Sequence, residues 1–145
     1  MSRALIETLL KSDPTLAGIG LPANRIFTQH DFKEVPQDGL FLVIRWEEST
    51  NFSQTYTGMG NGISRAPRVM TLWVHSPKDW KTDFELIDQV IDRIDNMFAE
   101  IEDQPGTDGY SITSIRNAGR SGDLDDEALN TVVRNAAYSV LYRRT

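Results

Sequence analysis

The sequence predicts an α+β domain, in which an antiparallel sheet of roughly four strands has one long helix packed on a face and a short N-terminal helix. Three observations predict this fold class. Residues 82–102 repeat apolar side chains at alternating steps of three and four, which is the period of an amphipathic helix. Residues 130–144 alternate from side to side like a half-buried strand. The elements follow the order helix, strand, strand, helix, strand, strand, within a single domain at residues 1–145.

A short amphipathic helix is predicted over residues 2–11. Its apolar stripe consists of Leu5, Ile6, Leu9 and Leu10. The Asp13-Pro14 step ends this helix, because the residue before a proline avoids the helical region. Residues 18–39 are rich in turn formers, so we expect only a brief strand there, at residues 25–27.

Two strands are predicted in the middle of the chain. Residues 40–48 begin with a run that is apolar on both faces, which places this strand near the centre of the sheet. Residues 69–75 alternate, and Pro77 closes the second strand.

The long helix is predicted over residues 82–102. Thr82 and Glu85 stand at the spacing of a capping box. The apolar stripe is Phe84, Ile87, Ile91, Ile94, Phe98 and Ile101. Asp88, Asp92 and Asp95 lie along one flank, where they could hold a metal ion, but a water-facing polar side explains them more simply.

In the last part of the chain, the sequence pattern predicts a strand at 110–117, an acidic loop at 119–127 and the closing strand at 130–144. The acidic residues of the loop are Asp123, Asp125, Asp126 and Glu127. A calcium loop of the EF-hand type needs a glycine at its sixth position, and that position counted from Asp123 is Ala128. We therefore expect a solvated loop and no metal site.

Composition narrows the possible functions. The chain has 145 residues, no cysteine and a net charge of −6. Disulfides and thiolate chemistry are thereby excluded, and a nucleic-acid-binding surface with a broad basic footprint is not expected. No apolar run is long enough for a membrane helix. His30 and His75 lack the neighbours of a catalytic constellation, so we expect no enzyme activity and no cofactor.

The long helix can cover only one face of the predicted sheet, so the other face remains uncovered. Phe41, Val43, Val69 and Trp73 fall on this second face. An apolar surface of this kind must be buried by some other body. The N-terminal helix or a neighbouring subunit could cover it, and the sequence does not distinguish the two.

A glycine-rich segment, residues 50–65, joins the two middle strands. A phosphate-binding loop needs a helix directly after its glycines, whereas Pro67 and a strand follow here. We expect a mobile loop that becomes ordered only on a partner. A surface hairpin without a partner is the simpler alternative.

The whole pattern resembles the tail terminator (tail completion) proteins of long-tailed bacteriophages. The opening helix is followed by Asp13-Pro14-Thr15-Leu16-Ala17, and then by the step Asn24-Arg25-Ile26-Phe27. The apolar strand 40–46 and an ending at 120–143, in which an acidic loop precedes a strand that closes on Tyr142-Arg143, are also similar to that family. The segment 50–65 departs most from the family pattern.

The resemblance implies a tail-tube-like fold and a structural role in the virion, reached by assembly in the host cytoplasm. Such proteins form a homo-oligomeric ring, usually a hexamer, on the head-proximal end of the tail tube. The ring stops polymerisation of the major tail tube protein and provides the joint to the head-tail connector protein. DNA passes through the lumen without specific binding, and no membrane is involved.

The same resemblance implies candidate contact residues. The subunit or tube interface would include Phe52, Tyr56, Met59, Ile63, Phe41, Val43 and Trp73. The acidic residues Asp123, Asp125, Asp126 and Glu127 would face the lumen or a neighbouring subunit.

A second reading of the sequence is a small α+β ligand-binding or regulatory domain that dimerises through its sheet. It predicts a concave apolar pocket with a few converging polar groups between the helix and the sheet. A third, an enzyme that uses aspartate or glutamate for acid–base catalysis, has no paired-carboxylate signature.

Overall fold

The computed structural model describes residues 3–29, 34–47 and 68–144. The helices of this part are α1 (Arg3–Lys11), α2 (Pro14–Ile19) and α3 (Phe84–Ala99), and a 3-10 turn spans Ala23–Arg25. The strands are β1 (Ile26–Thr28), β2 (Phe41–Glu47), β3 (Arg68–Pro77), β4 (Gln104–Pro105), β5 (Tyr110–Arg120), β6 (Leu124–Asp126) and β7 (Thr131–Arg144).

The expectation of a four-stranded sheet with one long helix is wrong. The described residues are mostly sheet, with 42% in strands and 29% in helices, and seven strands form one sheet that curls into a half-barrel. The strand order is β1-β2-β3-β7-β5-β4, and β6 pairs with β7 beyond the end of β5. All the pairs are antiparallel except β1 with β2.

The extra strands are short, which is why the sequence pattern does not show them. β4 has two residues and β6 has three, and neither is long enough for an alternation of apolar and polar side chains to be read. The ladder between β5 and β7 has register shifts between Ile112 and Ser114 and between Asn117 and Gly119. Such bulges bend a strand and increase its twist, which contributes to the curl of the sheet.

The centre of the sheet is formed by β3 and β7. Their ladder runs from Arg68 opposite Val140 to Pro77 opposite Thr131. The expectation that β2 lies at the centre is therefore not met, because only the short strand β1 separates β2 from the edge. The apolar start of β2 is nevertheless buried, with Phe41 and Leu42 fully inaccessible.

The main core lies between the described helices and one face of the sheet, which we call the helix face. α3 is amphipathic, and its buried residues are Ile87, Val90, Ile91, Ile94 and Phe98. They pack against Leu72 of β3 and against Ala136 and Tyr138 of β7, and Ile6 and Leu10 of α1 belong to the same cluster. Phe98 meets Tyr138 edge to face, with ring centroids 5.0 Å apart. The helices thus cover a single face of the sheet.

The helix starts differ from the sequence-based expectation. Asp83, and not Thr82, caps α3, since its carboxylate accepts a hydrogen bond from the backbone N–H of Glu85. Asp13-Pro14 ends α1 as expected, but it also begins α2, because Asp13 accepts from the N–H of Leu16 and Pro14 occupies the first turn. The Asp13 carboxylate also accepts two hydrogen bonds from Arg93, which join α2 to α3.

Replacement of Asp13 tests this joint. We expect Asp13→Ala to lower the free energy of unfolding by about 1 kcal/mol through the lost cap alone. Asp13→Asn keeps an acceptor for the Leu16 N–H, so it should lose less. Urea unfolding followed by circular dichroism measures both, with Thr15→Ala as a control at an exposed neighbouring position. Equal losses in the alanine and asparagine variants would contradict the assignment of Asp13 as a cap.

Candidate interaction surfaces

The face of the sheet opposite the helices, which we call the second face, consists of paired rows of side chains. Val43 of β2, Trp73 of β3 and Asn135 of β7 form one row, and Arg45, Thr71 and Ala137 form the next. Val43, Trp73 and Asn135 are half-buried, and Arg45 is exposed. Two of the candidate contact residues, Val43 and Trp73, therefore lie side by side on an accessible surface.

Phe41 lies on the same face but packs inside the chain. Its ring is fully buried and stacks on the His75 imidazole, with centroids 4.6 Å apart and planes 3° from parallel. Phe27 meets the Phe41 ring edge to face at 6.5 Å. Phe41 thus anchors a small buried cluster at one end of the second face. The other four candidate contact residues, Phe52, Tyr56, Met59 and Ile63, lie outside the described residues, as do His30 and the segment 50–65.

His75 is held in this cluster in its neutral form. Its Nδ1 atom is 2.8 Å from the hydroxyl of Thr131, a residue that is itself fully buried. Burial lowers the pKa of His75 to about 4, against the opposing influence of the Asp126 carboxylate, which raises it. Because His75 and Thr131 are both buried, this contact is part of the internal packing of the sheet.

Ion pairs and hydrogen bonds hold the acidic loop, which the sequence predicts as solvated. Asp123 accepts a hydrogen bond from Arg134 at 2.7 Å, and Asp125 forms an ion pair with Lys78. Asp126 accepts from the backbone N–H of Leu129 and so closes the turn between β6 and β7. Glu127 is exposed. Three of the four acidic residues therefore hold the β6–β7 hairpin in place.

Two arginines of the sheet form ion pairs with the aspartates of α3. Arg120 at the end of β5 pairs with Asp92 and Asp95, and Arg134 of β7 pairs with Asp88 as well as with Asp123. Asp95 also accepts hydrogen bonds from Tyr138 and Asn117. The helix flank that could have held a metal ion thus forms an ion-pair network along the edge of the core.

The protonation states in this network follow from competing effects. Burial alone would raise the pKa of Asp95, but the hydrogen bonds from Tyr138, Arg120 and Asn117 outweigh it and keep the pKa below its ordinary value. Burial, together with the adjacent Asp95 carboxylate, raises the pKa of Tyr138. Asp95 is therefore ionised and Tyr138 is a donor throughout the physiological range.

An open groove lies on the helix side of the molecule, where the C-terminal end of α3 meets α1. Its volume is about 240 Å³, and its lining residues are Leu9, Met97, Phe98, Glu100, Ile101 and Gln104. Leu9 and Met97 are half-buried, whereas Glu100 is exposed at the rim. The groove is apolar inside and acidic at its edge.

The sequence pattern did not identify the partners of the aspartates or the groove. Met97 lies outside the predicted apolar stripe, but Leu86, Val90 and Met97 follow one another at helical spacing and widen that stripe. This second row could have indicated a further contact surface. Nothing in the spacing of Arg120 and Arg134 pointed to their pairing with α3, because the partners are 25 to 46 residues apart.

Comparison with known proteins gives no relative: no family model, no curated protein and no solved structure matches this chain. Within the described ranges, no helix is both long and apolar enough to cross a membrane. Among those same residues, no group of three or more histidine, aspartate or glutamate side chains is arranged to hold a metal ion.

The buried His75 predicts a pH dependence of stability. Its pKa is about 4 in the folded chain and 6.5 in the unfolded one, so stability is fully present above pH 6.5 and falls as the pH drops toward 4. The expected loss over this window is about 3 kcal/mol. Urea unfolding at a series of pH values measures it.

The chain offers a matched control for this effect, since His30 is its only other histidine. His75→Gln should remove most of the slope between pH 6.5 and 4, and His30→Gln should leave it. A slope that disappears with His30→Gln and persists with His75→Gln would contradict the assignment.

Proposed function

We propose that this chain is a structural protein of a long-tailed bacteriophage virion. Copies of it form a ring, with six as the expected number, on the head-proximal end of the tail tube. The ring stops polymerisation of the tube and offers its other side to the head-tail connector. The role needs contact surfaces and no catalytic step.

The observation that carries this proposal is the one-sided packing of the sheet. The described helices share one core with the helix face, while Val43 and Trp73 stay half-buried on the second face beside the exposed Arg45. Apolar area in contact with water is stabilised when another protein covers it. Contacts that join two different surfaces close into a ring when the rotation between copies permits it.

The charge distribution is compatible with a passage for DNA. The chain carries a net charge of −6, which does not attract phosphates. The β6–β7 hairpin presents Glu127 and the partly exposed Asp126, while its other carboxylates are paired within the chain. A lumen lined by such a hairpin would let DNA slide without binding it.

A ligand-binding domain has less support. The groove of about 240 Å³ is open to solvent, whereas pockets for small molecules usually enclose about 300–1,000 Å³. Arg120 and Arg134 are already paired with aspartates of the same chain. This network therefore does not supply the free polar groups that a ligand would need.

Tube length is the direct test of this proposal. The tail tube protein encoded by the same phage genome is polymerised with and without the chain, and the tubes are measured by electron microscopy. The chain should bind one end and stop growth, so that addition of fresh tube protein no longer lengthens capped tubes. Tubes that continue to grow at saturating amounts of the chain would contradict the proposal.

Trp73 supplies a variant for the same assay. Trp73→Glu places a charge on the second face and should abolish ring formation on the tube, because an unpaired charge cannot be buried in a contact. Gln89→Glu adds the same charge on the exposed side of α3 and should act like the unchanged chain. Equal capping by both variants would show that the second face is not the contact surface. Circular dichroism checks that both variants are folded.

A further inference from the structure

The groove between α1 and α3 and the second face have complementary properties. Leu9, Met97 and Ile101 make the groove apolar, and its volume is about 240 Å³. A dry cavity of about 150 Å³ accepts benzene. The groove is therefore large enough for one bulky aromatic side chain, and no described residue fills it.

Charge adds to this complementarity. Glu100 lies at the rim of the groove and Glu102 follows close to it, and neither forms an ion pair within the described part of the chain. Arg93 is close enough to interact with Glu100, but its guanidinium is hydrogen-bonded to Asp13. The rim of the groove is therefore acidic.

The second face supplies the opposite features. Trp73 is the largest partly exposed side chain among its paired rows, and it lies next to Val43. Arg45, two positions along β2, and Arg116 on β5 are both exposed and form no ion pair with any described residue. Glu47 lies in the adjacent row, and Asp126 of β6, opposite Thr131, lies at the end of this face near His75. The second face is thus apolar in the middle, with the exposed Arg45 one row away from Trp73.

We propose that, in the ring, the second face of one copy packs against the α1–α3 groove of the next copy. Trp73 enters the groove between Leu9 and Met97, and Arg45 approaches Glu100. This inference rests on the proposed function, because it names the two surfaces that join neighbouring copies of the ring.

The position of the two surfaces explains why such a contact repeats. The groove lies on the helix side of the sheet, and Trp73 points to the other side. A copy that offers its second face to one neighbour keeps its groove free for another. This is a head-to-tail contact between different surfaces, which generates a ring when it closes.

The contact area sets the kind of experiment that is needed. Four strands spaced about 4.8 Å apart over about 24 Å give a face of roughly 450 Å². Stable protein pairs bury about 800 Å² on each partner. A single contact of this size is weak, so it is best captured by covalent cross-linking on the tube, where several copies assemble together.

The absence of cysteine in the chain makes the cross-linking specific. Arg45→Cys and Glu100→Cys are combined in one chain, which is bound to tail tubes and treated with a short bismaleimide. We expect a ladder of covalent multimers up to the full ring on a denaturing gel. The matched control combines Arg45→Cys with Gln89→Cys, whose second position lies on the exposed side of α3, and it should stay monomeric.

The outcomes separate this inference from the proposed function. Monomers from the Arg45/Glu100 pair, together with a ring captured by an amine-reactive cross-linker, would overturn the inference and leave the ring intact. Monomers with every reagent, on tubes that keep growing, would overturn both. A ladder from both cysteine pairs would also count against the inference, because it would indicate contact without the stated geometry.

Charge reversal gives an independent measurement. Arg45→Glu and Glu100→Arg should each reduce the fraction of tube-bound ring by about tenfold, because like charges then face each other across the contact. The double variant restores the attraction with the charges exchanged and should recover most of the binding. If the double variant loses binding by the product of the two single losses, the proposed pairing is overturned.

Discussion

The packing of α3 on the paired strands β3 and β7 is the interaction on which the rest of the structure depends. The apolar side of α3 meets Leu72, Ala136 and Tyr138, and α1 completes the same core. Because the described helices use one face of the sheet, the opposite face must be covered in another way. The sheet itself buries the end of that face with the Phe41–His75 stack, and it leaves Val43 and Trp73 accessible.

The polar side of α3 has an equally definite role. Arg120 and Arg134 reach across from β5 and β7 to its aspartates, and Arg134 continues the network to Asp123 in the segment before β6. Each single surface ion pair stabilises a protein little, but a connected network fixes geometry. Here it holds the bulged end of β5 and the β6–β7 hairpin against the helix. An acidic stretch that reads as a solvated loop is therefore an ordered part of the sheet.

The sequence predicts the long, strongly patterned elements well. The expected strands at 40–48, 69–75 and 130–144 correspond to β2, β3 and β7 within one or two residues at each end, and the brief strand near residue 26 is β1. The predicted alternation of the closing strand is also correct, since Ala136, Tyr138 and Val140 of β7 all belong to the core that contains α3. The sequence pattern does not predict the short elements α2, β4 and β6. A cap holds α2, two paired residues define β4, and a hairpin holds β6. Elements this short have no periodicity in the sequence.

By itself, the sequence determined which side of each long element is apolar, where the main helix runs, and that no thiol chemistry is possible. Those properties depend on residues close together in the chain. Tertiary structure alone decided the strand order, the curl of the sheet and the pairing of Arg120 and Arg134 with aspartates 25 to 46 residues away. The physical reason is that such contacts are fixed by the register of whole strands and the packing of α3 across them, and no local pattern contains this information.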